Sequence, residues 1–183
     1  MRDGIDVIRS VRLDLHPLKE VDADKMVDVL ADPRLYDFIG GRPPSLEELR
    51  DRYRRLSTGR SADGREEWRN WIVRTREDGR AIGTVQATIT DDQRRASIAW
   101  VIGVPWQGRG FATEAARALI AWLEARGVSS ISASIHPDHV ASGAVAARAG
   151  LLQSDEEVDG ERVWWRPQPN RNSEPPASTD ESR

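Results

Sequence analysis

The stretch from residue 100 to 116 most constrains what this chain can fold into. An apolar, strand-like run ends at Ile102, a turn containing Gly108 and Gly110 follows, and an alanine-rich helical pattern begins at Phe111. The first N–H groups of a helix have no partner within the helix, and the helix dipole places partial positive charge at that end. The turn therefore predicts an anion-binding site at the start of the helix.

Alternation of apolar and polar residues predicts strands on both sides of this stretch. Three strands, at 68–76, 80–90 and 95–102, are joined by short polar turns at 77–79 and 91–93 and lead into it as an antiparallel run. Periodicity and end signals predict the other elements: strands at 11–15 and 128–135, helices at 23–30, 46–56, 111–126 and 140–149, and a final hairpin around a turn at 156–160.

Two helix starts carry specific predictions. Asp22 is expected to cap the helix that begins at Ala23, since a carboxylate can accept the unpaired N–H groups of a first turn. Ser45 and Glu48 have the spacing of a capping box, in which each side chain bonds the backbone N–H of the other residue.

This order of elements predicts a mixed α/β domain, with a mostly antiparallel central sheet flanked by helices. The chain has 183 residues, which fits one domain of ordinary size. We assign residues 1–167 to that domain. Residues 168–183 are rich in Pro, Ser and charge without apolar partners, and they are predicted to be a disordered tail.

Composition excludes several classes of function. The chain has no cysteine, so disulfides, thiolate nucleophiles and Cys-based zinc sites are excluded. Its 27 basic residues are scattered and the net charge is −3, which argues against nucleic-acid binding. No apolar run is long enough to span a membrane, so a cytoplasmic protein is expected. His136 and His139 with Asp138 form the one His cluster, and no metal is expected there.

Two nucleotide-binding motifs also place glycines between a strand and a helix. The phosphate loop of nucleotide hydrolases needs Lys followed by Ser or Thr after its last glycine, whereas Phe111 and Ala112 stand there. A dinucleotide fingerprint needs three glycines, and 108–113 supplies two of them. Neither motif fits this turn.

The hexapeptide Gln107–Ala112 resembles the Gln/Arg-x-x-Gly-x-Gly/Ala signature of the GNAT superfamily of acyl-CoA-dependent N-acetyltransferases. The surrounding order of strands and helices is similar to that family from about Val11 to Trp165. The resemblance implies a sheet that splays between the family's fourth and fifth strands, with acetyl-CoA as acyl donor. Small residues at the turn would let the backbone approach a pyrophosphate.

The resemblance also implies which residues hold the donor. Backbone N–H groups around Ile102 to Val104 are expected to bind the thioester carbonyl, and Arg109 is expected to add a cationic contact. The expected cofactor-binding residues are Ile102, Val104, Gln107, Gly108, Arg109, Gly110, Phe111, Ala112, Thr113, His139 and Ser142.

The helix at 140–149 indicates a branch of the family. Many members carry a tyrosine in this helix, whereas the branch that resembles the RimJ/RimL ribosomal-protein acetyltransferases carries a serine near its start. Here Ser142 matches that serine, and Ala146 stands at the tyrosine position. Ser142 is therefore expected to give a proton to the departing thiolate.

No general base is identified. The family's usual Asn is replaced by His139, and Ser97 stands where this branch commonly has Glu. His136 is one candidate base; Glu66, Glu67 and Asp37 are others, and deprotonation through a water chain would need none of them.

The acceptor pocket is expected to form from the N-terminal half of the chain. Its predicted residues are Tyr36, Phe38, Trp68 and Trp106, whose rings could hold an amine by stacking or cation–π contact. Trp71 and Trp100 are expected in the core instead.

These features predict an N-acetyltransferase that moves acetyl from acetyl-CoA to a primary amine, on a protein N-terminus or a small molecule, by direct attack in a ternary complex. The rival is a non-catalytic acyl-CoA-binding sensor or scaffold. Trp164 and Trp165 on the last hairpin suggest a homodimer.

Overall fold

The computed structural model describes residues 6–90 and 94–167. Strands β1 to β8 span Ile8–Arg9, Leu13–Pro17, Glu67–Thr75, Ala81–Thr90, Arg95–Ile102, Ser130–Ile135, Leu152–Val158 and Glu161–Trp165. Helices α1 to α4 span Ala23–Val29, Leu46–Leu56, Phe111–Glu124 and Val140–Arg148. The predicted turn at 91–93 and the predicted tail at 168–183 lie outside the described residues.

The strands form one sheet in the order β1-β2-β3-β4-β5-β6-β8-β7. All neighbours are antiparallel except β5 and β6, which run parallel. A parallel pair needs a crossover, and α3 provides it between β5 and β6. The predicted mixed fold with a mostly antiparallel sheet is confirmed.

Helix α3 packs on one face of the sheet through its apolar side. Ala115, Leu119 and Leu123 are fully buried there, in the same core cluster as Ile98 of β5 and Ile135 of β6. Alanines on the buried side let the helix axis lie close to the strands, because their side chains add little bulk. The first turn of α3 is therefore held firmly beside the end of β5.

Helices α1 and α2 cover part of the opposite face and form a second core cluster with Ile72 of β3. The capping box at Ser45 and Glu48 is confirmed, with bonds of 3.2 and 2.8 Å. The prediction that the Asp22 carboxylate caps α1 is wrong, since no side chain makes a capping hydrogen bond to this helix. The Asp22 carboxylate instead accepts from the Lys19 N–H at 2.9 Å and pairs with Arg74.

The final hairpin has a tighter turn than the sequence suggested. Strand β7 continues to Val158, so two residues, Asp159 and Gly160, connect it to β8. Both have positive φ, 52° and 81°, as a two-residue hairpin turn of this hand requires. Glu156 and Glu157, which were expected in the turn, therefore belong to the strand.

No helix among the described residues is long and apolar enough to cross a membrane.

Candidate active site

The turn between β5 and α3 has the geometry of an anion site. A short 3-10 turn at Val104–Trp106 is followed by Gly108 and Gly110, with φ of 72° and 79°. Positive φ is readily adopted by glycine because it has no Cβ. Gly110 is the N-cap of α3 and no side chain caps the helix, so the first N–H groups of α3 remain available to a ligand.

Gln107 fixes this turn to the strand before it. Its side-chain N–H₂ donates to the Ile102 carbonyl at 2.9 Å, which closes the loop between strand end and helix start. The N–H of Gly103 donates to the Ile82 carbonyl of β4 at 2.8 Å. Backbone groups of successive strand residues point to alternate sides, so the N–H and carbonyl of Ile102 face away from β4, toward β6.

A cluster of charged side chains braces the helix start from the N-terminal strands. Arg12 pairs with Glu114 at 2.7 Å and donates to the Arg109 carbonyl at 3.1 Å. The guanidinium groups of Arg12 and Arg109 lie 4.6 and 4.9 Å from the centre of the Phe111 ring. Two cations therefore flank the anion site.

The Glu114 carboxylate is held ionised in this cluster. Burial alone would raise its pKa, but hydrogen bonds from the Arg12 N–H, the Ser10 hydroxyl and the Arg12 guanidinium lower the pKa below the ordinary value. Its charge offsets part of the positive charge of Arg12.

A gap opens between β5 and β6 beside the turn. The two strands pair at only three positions, from Arg95 opposite Ser130 to Ser97 opposite Ser132, and then diverge. The outer parts, 98–102 and 133–135, have no strand partner on the side of the gap. Backbone N–H and carbonyl groups, including those of Ile102, therefore line it.

An open cleft of about 70 Å³ occupies this gap. Its walls are residues 98–100 and 133–136, completed by Phe38, Ile39, His139, Ser142 and Glu161. Phe38 comes from the long connection between α1 and α2, and its ring stacks on His139 with centroids 4.5 Å apart. The connection thus covers one side of the cleft.

The two histidines of the cleft differ in what surrounds their rings. Burial, and secondarily the nearby His136, lower the pKa of His139 below 6.5, so it is mostly uncharged at neutral pH. The Nδ1 atom of His136 accepts a hydrogen bond from the Asp138 N–H at 3.2 Å, which fixes the orientation of this ring.

A family model for the GNAT acetyltransferase domain matches residues 12–152, more than three-quarters of the sequence. The chain belongs to the GNAT acetyltransferase family. It is accordingly an acyl-CoA-dependent acetyltransferase, and the acyl-CoA donor predicted from the turn is confirmed.

Solved structures of other GNAT proteins have the same fold. RimL, a ribosomal L7/L12 alpha-N-protein acetyltransferase in complex with coenzyme A, is 19% identical, with a TM-score of 0.74 over 88% of this chain and 97% of its own. An acetyltransferase from Salmonella typhimurium that modifies the N-terminal serine of 50S ribosomal subunit protein L7/L12 is 18% identical, with a TM-score of 0.73 over 88% and 98%.

A third similar GNAT structure holds a second ligand beside acetyl-CoA. AAC(6')-Ib, in complex with paromomycin and acetyl-CoA, is 19% identical, with a TM-score of 0.69 over 85% of this chain and 92% of its own. A comparison with curated proteins found no significant match. The RimL structures share the fold of this chain, and the branch that Ser142 indicated stays a prediction.

The predicted donor-binding residues of the GNAT turn lie together. Gln107–Thr113 form the turn and the first helical positions, and Ile102 presents its backbone to the gap. The carbonyl of Val104 accepts from the Gln107 N–H at 3.2 Å, within the 3-10 turn. Because the Gly103 N–H is already bonded to β4, the N–H of Ile102 is better placed than that of Gly103 to bind the thioester.

Ser142 and His139 reach the cleft from the start of α4, as the GNAT resemblance implied. His139 is the N-cap of this helix and Ser142 lies in its first turn, partly buried. Gly143 is the reason the helix lies so close to the sheet, since a Cβ there would be 3.3 Å from the Trp164 ring.

Of the predicted acceptor residues, Phe38 lines the cleft and the other three do not. The Tyr36 hydroxyl donates to the Leu30 carbonyl at 3.0 Å, and the Trp68 indole donates to Glu66 at 3.0 Å. The Trp106 ring packs on Gly103, 3.0 Å from where a Cβ would lie. Their role in acceptor binding stays a prediction.

The four candidate bases also divide into those that line the cleft and those that do not. Glu66 and Glu67 are occupied by Trp68 and Arg69 respectively, and neither they nor Asp37 line the cleft. His136 does line it.

Sequence reasoning missed three residues of this site. Arg12 lies beside the glycine turn, Glu161 lines the cleft, and Trp100, which was expected in the core, is partly buried and forms part of the cleft wall. Their positions depend on strand pairing between distant parts of the chain, which a local motif does not encode.

Within the described residues, no group of three or more His, Cys, Asp or Glu side chains is arranged to hold a metal ion.

Proposed function

We propose that this GNAT enzyme acetylates a primary amine by direct attack on acetyl-CoA in a ternary complex. The observation that carries the proposal is that the glycine turn follows the end of β5, while the cleft with Ser142 lies in the gap between β5 and β6. A donor whose phosphates bind at the turn would extend its thioester along the gap toward Ser142.

Each step has a named residue in this proposal. The Ile102 N–H polarises the thioester carbonyl, as backbone donors do in oxyanion sites. The amine nitrogen forms a bond to the carbonyl carbon, the carbon–sulfur bond breaks, and the sulfur takes a proton from the Ser142 hydroxyl. The surplus proton of the amine leaves to solvent, and Ser142 regains a proton from water.

The acceptor is a protein N-terminus or a small-molecule amine. Similar structures act on both classes, a ribosomal-protein N-terminus for the L7/L12 enzymes and an aminoglycoside for AAC(6')-Ib. The cytoplasmic location, the absence of nucleic-acid binding and the homodimer also stay predictions. Trp165 is 43% exposed on the last hairpin, whereas Trp164 packs against the core.

Release of free CoA thiol tests the proposal. The protein is incubated with acetyl-CoA and a panel containing a peptide with N-terminal serine, paromomycin and a polyamine, and acetylated product is measured by mass spectrometry. Product formation equal to thiol release with at least one amine is expected. Acetyl-CoA binding without acetylation of any amine would favour the non-catalytic sensor.

A further inference from the structure

Glu161 is a carboxylate of the cleft that the proposed chemistry does not yet use. It is the first residue of β8, it is partly buried, and it is the one acidic side chain among the described residues that line the cleft. Its neighbour Arg162 pairs with Glu157 at 3.8 Å instead. No ion pair or side-chain hydrogen bond of Glu161 is found in residues 6–90 and 94–167.

Strand register places Glu161 on the opposite face of the sheet from Ser142. Arg162 is directly opposite Ile135 of β6, and paired residues of antiparallel strands point to the same face. Ile135 is buried in the core cluster that also contains Ala146 of α4. Successive residues alternate, so Glu161 points to the face away from α4, where Phe38 covers the cleft.

The cleft around Glu161 suits a cation. Burial lowers the pKa of His139, so its ring is mostly uncharged at neutral pH. The aromatic rings of Phe38 and Trp100 lie in the same cleft, and their faces attract cations. An ammonium group would therefore be favoured on this side of the gap.

We propose that Glu161 binds the ammonium group of the acceptor and thereby selects cationic primary amines. This inference rests on the proposed acetyl transfer. The acceptor enters from the Glu161 face, while the thiolate departs toward Ser142 on the other face. The bound ammonium loses one proton to water before its nitrogen attacks, and Glu161 takes no part in that proton transfer. A carboxylate on β8 thus supplies the negative charge that Ser97 does not provide on β5.

The test compares Glu161→Gln with Glu156→Gln, an exposed position on the same hairpin. A charge-assisted hydrogen bond is lost only in the first variant, so its KM for the amine should rise about ten- to hundredfold. Its KM for acetyl-CoA and its Tm should stay as in the wild type. Glu161→Asp should have a KM for the amine between those of wild type and Glu161→Gln. Added salt should bring the KM of wild type closer to that of Glu161→Gln, because salt screens the attraction between the carboxylate and the ammonium.

Hydroxylamine, which is uncharged at neutral pH, provides a matched acceptor. Glu161→Gln should leave its rate of acetylation unchanged, because no ammonium is recognised. An equal loss with hydroxylamine, or an unchanged KM for the cationic amines, would overturn the role of Glu161.

A binding measurement separates this inference from the proposed function. The CoA-loaded protein is titrated with the serine peptide and with paromomycin, so that no turnover is needed. Weaker binding to Glu161→Gln than to wild type supports the inference even if no amine is acetylated, in which case the proposed catalysis alone fails. If wild type binds neither probe, or both proteins bind them equally, the inference is wrong.

Discussion

At the scale of single residues, Ser142 has the most specific role in the proposed mechanism, since its hydroxyl gives a proton to the departing sulfur. Ser142→Ala should lower kcat by about a hundredfold, since positioned proton donors contribute about 10²–10⁴ and a thiolate is already a good leaving group. The Kd for acetyl-CoA and the Tm should change little. Ser129→Ala, an exposed position, is the control. Wild-type turnover in Ser142→Ala would remove this hydroxyl from the mechanism.

Arg12 tests how the glycine turn is supported. Arg12→Ala should raise the Kd for acetyl-CoA several-fold, because a cation beside the anion site is lost and Glu114 keeps its charge. The free energy of unfolding should fall by about 1 kcal/mol, since Arg12 is half-exposed and Glu114, which is 17% exposed, keeps its bonds from the Ser10 hydroxyl and from the backbone N–H at position 12. Arg50→Ala, which breaks the more exposed pair with Asp24, is the control for isothermal titration.

Two roles of Arg12 are separable. If Arg12 only neutralises Glu114, the double variant Arg12→Ala with Glu114→Gln should bind acetyl-CoA as tightly as wild type. If it contacts the phosphates, the double variant stays weak. Equal Kd values for Arg12→Ala and wild type would show that the cluster only holds β1 and β2 against α3.

Ser142 could be found from the sequence alone, whereas Arg12 could not, and the difference has a structural reason. Ser142 and Gln107 belong to contiguous motifs, so local spacing was sufficient to find them. Arg12 reaches the site through Glu114, 102 positions away, and Glu161 reaches it through pairing of β8 with β6. Such neighbours follow from strand order, which neither periodicity nor a short motif specifies.

At the scale of secondary-structure elements, the end of β5 is set by a close approach of β4. A Cβ on Gly83 would lie 2.2 Å from the Val101 carbonyl oxygen. Gly83→Ala should therefore push β5 away, lower the free energy of unfolding by about 1–3 kcal/mol, and weaken acetyl-CoA binding. Thr84→Ala, at the adjacent residue, should lower the free energy of unfolding by less, as measured by chemical denaturation. An equal decrease in the two variants would contradict this account.

Helix starts show the limits of local rules at this scale. Ser45 and Glu48 form their capping box because both partners lie within one turn, and nothing else competes for them. Asp22 has the right residue type and position, yet Arg74 from β3 and the Lys19 N–H take its carboxylate. Arg74 is a tertiary contact that the sequence around Asp22 does not reveal, whereas the Lys19 N–H belongs to the short helical turn that precedes α1.

At the scale of the whole molecule, His139 links the site to stability. Its pKa is lowered in the folded protein, so the unfolded chain binds a proton at higher pH than the folded one. The stability that depends on neutral His139 is fully present above pH 6.5 and is lost as the pH falls through its folded pKa.

The variant His139→Asn removes this proton uptake. Between about pH 7.5 and about pH 5.5, wild type should lose more unfolding free energy than His139→Asn in urea titrations, because only wild type gains a proton at this position on unfolding. Parallel pH curves for the two proteins would show that His139 titrates alike when folded and unfolded.

The gap between β5 and β6 also has an evolutionary consequence. Its donor-binding wall is made of main chain, which every amino acid supplies, together with a few glycines that allow close approach. Side chains along these strands can therefore drift while the donor is still recognised, which suits a fold shared by chains only 18–19% identical. The proposed acceptor wall is made of side chains such as Phe38 and Glu161, so new substrates could be acquired there without rebuilding the donor half.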